Sequence, residues 1–107
     1  MIIYNVSVSI DKEIEQDWYH WMIETHIPDV VDTGYFLHAE IFQQLEPLGE
    51  EGRSAYQIRY TSPSQEHLNN YQRDAAPRLQ ADHTQRYQGR FSASRTILQE
   101  KKSFFVK

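Results

Sequence analysis

Residues 2–10 alternate in character, with Ile2, Tyr4, Val6, Val8 and Ile10 on one parity and Ile3, Asn5, Ser7 and Ser9 on the other. A period of two marks a strand with one covered face. The period then changes. Ile14, Trp18, Trp21, Met22 and Thr25 recur at helical spacing, with Glu13, Asp17, His20 and Glu24 mainly on the wetter side. Asp11 stands at the N-cap position, and Glu13 and Glu15 put negative charge in the first turn, where the helix dipole favours it. Pro28 disfavours helical geometry at Ile27, so the helix ends there or is re-aimed into a short turn through Val30 and Val31, closed by Gly34.

A second strand is expected over residues 35–45, with Tyr35, Leu37, Ala39, Ile41 and Leu45 on one side and Phe36, His38, Glu40 and Phe42 on the other. The segment 46–52, with Pro47, Gly49 and Gly52, reads as an irregular hairpin loop. A third strand runs from about Arg53 to Thr61, with Tyr56, Ile58 and Tyr60 opposed to Gln57, Arg59 and Thr61. Ser62-Pro63-Ser64-Gln65 supplies a capping serine, a proline at N1 and a glutamine at N3, so a second helix is expected from Pro63. Leu68, Tyr71, Ala75, Leu79 and His83 form its apolar stripe. Pro77 cannot donate to the carbonyl of Arg73, which predicts a break near Asp74, with Asp74 recapping the second half. Residues 90–101 read as a fourth strand. The tail Ser103-Phe104-Phe105-Val106-Lys107 carries enough aromatic surface to predict docking on the domain or on a partner.

The resulting order β-α-β-β-α-β predicts an α+β, ferredoxin-like domain spanning residues 1–107: a four-stranded antiparallel sheet with both helices on one face. The other face then presents Asn5, Ser7, Gln57 and Arg59 together with Phe36 and Phe42. That mixture needs a cover, and two sheets packed face to face in a homodimeric α/β barrel would supply it.

Composition narrows the class. At 107 residues, 39% hydrophobic and 24% charged, the chain fits one globular domain. Cysteine is absent, which removes disulfides and thiolate chemistry and fits a cytoplasmic setting. No apolar run reaches the roughly 20 residues needed to span a bilayer, and the opening residues lack the basic start and cleavage site of a signal peptide. The formal charge of −4 hides a gradient: residues 1–52 hold eleven acids against Lys12 alone, and residues 86–107 hold six bases against Glu100. In a compact fold these halves can neutralise each other, and net negative charge argues against nucleic acid as a partner.

The start Ile3-Tyr4-Asn5-Val6, the stretch Trp18-Tyr19-His20-Trp21-Met22 leading to His26-Ile27-Pro28-Asp29-Val30, and Ala76-Pro77-Arg78-Leu79 resemble a bacterial family of short proteins of unknown function. The resemblance spans nearly the whole chain and implies the dimeric α/β-barrel superfamily, whose branches include antibiotic-biosynthesis monooxygenases. It implies no activity for this chain, and whether the protein is an enzyme stays open.

The sharpest polar constellation is His38, Glu40 and Arg59, on one parity of neighbouring strands, with Asn5 and Gln57 nearby. These five are the candidate ligand-binding residues: Arg59 can clamp an oxygen while His38, tuned by Glu40, moves a proton. The structural alternative is an ion pair that fixes sheet register or joins two subunits. His26, just before Pro28, reads first as a residue that finishes helix one and second as an acid or base at a pocket mouth. Asp17, His20 and Glu24 share a helix face but lack further ligands, so no metal site is expected. His67 and His83 look isolated, and the Trp18, Tyr19 and Trp21 cluster reads as core. No nucleophile elbow, phosphate-binding glycine loop or dinucleotide fingerprint is present, so no cofactor is expected. The reading is therefore a homodimer that binds a small organic ligand. A non-catalytic interaction module and a cofactor-free, monooxygenase-like enzyme are the alternatives.

Overall fold

The computed structural model describes residues 1–107. Strand β1 (Ile2–Asp11) leads through a 3-10 turn (Lys12–Ile14) into α1 (Glu15–Trp21), a π-turn (Met22–His26) and α2 (Ile27–Asp32). Strands β2 (His38–Gln43) and β3 (Arg53–Ser62) follow, then α3 (Gln65–Asp74), α4 (Ala76–Tyr87) and β4 (Phe91–Gln99). The strands form one sheet in the order β2-β3-β1-β4, with every neighbouring pair antiparallel. This is the ferredoxin-like arrangement that the alternating pattern predicts.

The even positions of β1 and β3 build the core. Tyr4, Val8, Ile10, Tyr56, Ile58 and Tyr60 are buried against Trp18, Met22, Val30, Leu68, Tyr71, Leu79 and Tyr87 from the helices. Each such side chain contributes about 1.5–3 kcal/mol by leaving water. The odd positions face the open side of the sheet.

Two arginines distant in sequence, Arg53 and Arg90, close on the acidic start of the chain. Asp11 accepts from Arg53 Nε at 2.8 Å and from Arg90 Nε at 2.6 Å, and the two guanidinium groups hold its carboxyl below the usual range. Asp11 is thus a hub between β1, β3 and the start of β4 and makes no side-chain capping bond, contrary to the expected N-cap. Glu15 anchors the next turn, accepting from Ser54 Oγ at 2.6 Å.

Helix one does not end at Pro28. Ile27 is helical, at φ −63° and ψ −45°, and the helix runs on to Asp32. A proline lacks the N–H for the carbonyl four residues back and its ring crowds that carbonyl, and the π-turn over Met22–His26 opens the ladder just where the ring would clash. Gly34 then leaves the helix at φ +89°, a region open to glycine.

Strand two starts at His38, three residues later than expected. Phe36 is therefore not on the open face. It is buried on the helix side, edge-on to Tyr71 at 4.8 Å and tilted against Tyr60 at 5.3 Å, because the turn after Gly34 delivers it there before the strand sets its alternation. The second helix starts at Gln65, and Ser64 is its cap, accepting from the His67 N–H at 3.2 Å. Ser62 is instead fully buried and donates to the carbonyls of Tyr35 and Ser64.

The predicted break falls at Ala75, between α3 and α4, with Pro77 in the first turn of α4. Asp74 does not recap that turn; it pairs with Arg73 at 2.7 Å. The tail does not dock on its own domain, since Phe104 and Phe105 are each 85% exposed.

Candidate functional site

The core is not completely filled. A cavity of about 50 Å³ lies between the helices and the sheet, walled by apolar side chains that include Val8, Met22, Val30 and Ile58. Polar side chains reach it from several elements, among them Tyr4 from β1, His26 from the π-turn, Tyr60 from β3, Tyr71 from α3, and Gln80 and His83 from α4. Arg95, Ala93 and Thr84 are exposed, so the mouth opens between β4 and α4.

Trp18 Nε1 donates to His83 Nε2 at 2.9 Å. An indole nitrogen can only donate, so Nε2 must accept and the ring proton sits on Nδ1. Phe91 meets the same ring edge-on at 4.5 Å, and His26 lies 5.6 Å away, centre to centre. Burial lowers His83 to about 4, and the nearby His26 and Arg95 act in the same direction. His26, stacked on Trp21 at 5.0 Å, is likewise lowered to about 4 by burial, against the opposing pull of Asp29 and Asp82. Both rings are neutral at pH 7.

Burial pushes the phenols of Tyr60 and Tyr71 up, so both stay protonated donors. Gln80 Nε2 donates to the Tyr4 hydroxyl at 3.4 Å. The site therefore gathers neutral imidazoles, phenols, an amide and one guanidinium beside an apolar wall. Such a set can orient an oxygen-bearing ligand and exchange a proton with it.

The five residues singled out from the sequence lie elsewhere, on the open face. Asn5 Nδ2 and Ser7 Oγ donate to Gln57 Oε1 at 2.8 and 2.7 Å, and Gln57 Nε2 donates to Gln44 at 2.8 Å. His38 and Glu40 are 3.7 Å apart and more than half exposed. Arg59 sits opposite Glu40 in register but lies over the Phe42 ring, 5.5 Å from its centre. The structure thus brings all five onto one surface, joined as two patches. The buried Oδ1 of Asn5 and Oγ of Ser9 have no hydrogen-bond partner there.

Sequence reasoning passed over His83 as isolated, and it is instead the centre of the aromatic cluster. Its place on the apolar stripe of the second helix was the available signal, since a stripe histidine must find a partner in the core. His26 does not finish a helix but faces the cavity from within one. Of the surface trio on helix one, Asp17 is engaged by the Tyr87 hydroxyl at 2.9 Å.

Solved structures share this architecture. A candidate antibiotic biosynthesis monooxygenase from Deinococcus radiodurans superposes with a TM-score of 0.72 at 9% identity, over 100% of this chain and 99% of that one. An ethyl tert-butyl ether (EthD) family protein from Bacillus halodurans gives 0.65 at 16% identity, over 94% and 100%. A de novo designed protein, Foldit4, gives 0.58 at 8% identity, over 94% and 98%. At these identities the likeness establishes a ferredoxin-like α+β fold, and it shows the fold alone. No curated protein sequence matches the chain. Residues 1–101 match the domain of unknown function DUF4286, and the chain belongs to that family.

Proposed function

We propose that this is a small-molecule-binding protein whose ligand enters the cavity between helices and sheet, and that it works as a homodimer with the open sheet faces packed together. One observation carries the ligand reading: an apolar space within the fold, open at one mouth, is lined by His26, by His83 held by Trp18, and by the phenol-bearing Tyr60 and Tyr71. An apolar space with a few convergent polar groups is the usual form of a small-molecule site. Catalysis without a cofactor is compatible with the neutral imidazole of His26 as a proton acceptor, and binding comes first.

The dimer reading is supported by the open face. Asn5 Oδ1 and Ser9 Oγ lack partners, Arg59 has no carboxylate partner within ion-pair distance, and Phe42 and Leu98 are each 44% exposed. A second sheet would cover all of them. A second reading places a ligand between the two sheets at Asn5, His38, Glu40, Gln57 and Arg59, favoured by the same unpaired arginine. The cysteine-free sequence supports a cytoplasmic location, and no helix is long and apolar enough to cross a membrane.

The test is a small-molecule fragment screen read by NMR of the histidine rings. Hits should shift His26 and His83 and be lost in Ala93→Trp, which blocks the mouth. Hits that shift only His38 and survive that substitution would move the site to the open face.

A further inference from the structure

The cavity's lining is one-sided in its chemistry. No aspartate or glutamate lines it, and its one charge is the guanidinium of Arg95 at the mouth. The Arg95 side chain makes no hydrogen bond or ion pair within the chain, yet it lies near enough to act electrostatically on His26, His83, Tyr60 and Tyr71. The carboxylates nearest His26, Asp29 and Asp82, stand on its outer side in a separate surface cleft that also includes Trp21 and Arg86. His26 is thus a partition, with acids outside and donors inside.

The donors inside are defined by their bonding. His83 presents Nδ1–H because Trp18 occupies Nε2, and the phenols of Tyr60 and Tyr71 remain protonated. With no carboxylate in the lining to offset it, the one guanidinium favours a ligand with negative charge, and a guanidinium fork matches the two oxygens of a carboxylate. The size is limiting as well. A cavity that admits benzene measures about 150 Å³, whereas this one is about 50 Å³. Only a short apolar body fits behind the mouth.

We infer that the ligand is a small monocarboxylate, its body of a few carbons among Val8, Met22 and Ile58 and its carboxylate at the mouth against Arg95. This rests on the cavity being the binding site, and it adds charge, size and orientation to that reading. The ligand's apolar end points towards the sheet core and its polar end towards the gap between β4 and α4. The unopposed guanidinium disfavours a cation, and the volume of about 50 Å³ disfavours a fused-ring molecule.

The experiment titrates the full chain with butyrate, butyramide and butylamine, following the ring signals of His26 and His83 in wild type, Arg95→Gln and Arg95→Lys. Butyrate should shift both rings, bind about tenfold or more tighter than butyramide, and lose that advantage in Arg95→Gln. Arg95→Lys should restore part of it, and butylamine should not bind. Arg95 is exposed, so these variants keep the fold. Butyramide binding as tightly as butyrate, or butyrate affinity unchanged in Arg95→Gln, would overturn the carboxylate inference while leaving the cavity as the site. If no probe and no screened fragment moves either ring, the cavity reading itself fails.

Discussion

The Trp18 indole nitrogen and His83 Nε2, 2.9 Å apart, join α1 to α4 through a buried hydrogen bond between residues 65 positions apart. The bond fixes the tautomer of His83, with Nε2 accepting and the proton on Nδ1. Trp18→Phe keeps an aromatic ring and removes the donor, leaving Nε2 buried without a partner. That loss costs about 1–3 kcal/mol, with a further loss from the smaller ring. The wild type should show a pure Nδ1–H tautomer in long-range nitrogen–proton spectra, and Trp18→Phe a mixture. A pure Nε2–H signal in the wild type would contradict the bond.

Acid should destabilise the fold before the carboxylates titrate. His26 and His83 are lowered to about 4 from the ordinary value of 6.5, so between these values the unfolded chain binds more protons than the folded one. Their contribution is complete above about pH 6.5 and is lost as the pH falls towards 4, by on the order of 3 kcal/mol for each ring. Urea midpoints measured across this window should fall with pH, and His83→Gln, which still accepts from Trp18, should flatten the slope. Midpoints constant over the same range would mean that the rings are not desolvated.

The open face predicts a dimer that can be separated without unfolding. Sedimentation at micromolar concentration should give about twice the 12.7 kDa chain mass, and Leu98→Asp, on the exposed edge strand, should give monomer with unchanged circular dichroism. A clean monomer mass for the wild type would overturn the face-to-face arrangement. Added salt should weaken the dimer only if charges such as Arg59 and Glu40 pair across it.

Pro28 is the reason for the π-turn, and the π-turn carries His26. Pro28→Ala returns the missing N–H and removes the clash, so the ladder can close in regular α register and rotate the residues before it. Helix content should hold or rise, while the His26 ring signal shifts and any cavity ligand weakens. An unchanged His26 environment would show that packing, rather than the proline, holds the turn open.

Much of the architecture was legible in the chain because its causes are local. Strand alternation over 2–10 and 53–61, the helical spacing of Trp18, Met22, Leu68 and Leu79, and the break before Pro77 each follow from a period or from a missing N–H. These determined the element order, and the order with right-handed connections determined the sheet. What failed was also local in form but was decided elsewhere. Phe36 matches strand parity, yet the turn after Gly34 gives it to the core. Asp11 matches a cap, yet Arg53 and Arg90, 42 and 79 residues away, claim it. The five open-face residues could be grouped from parity alone, because neighbouring strands share a face. The cavity could not, because His26, Tyr60, Tyr71, His83 and Arg95 share neither a period nor an element. They meet only when two helices cross one sheet and leave a gap that side-chain volume, summed over the whole core, does not fill.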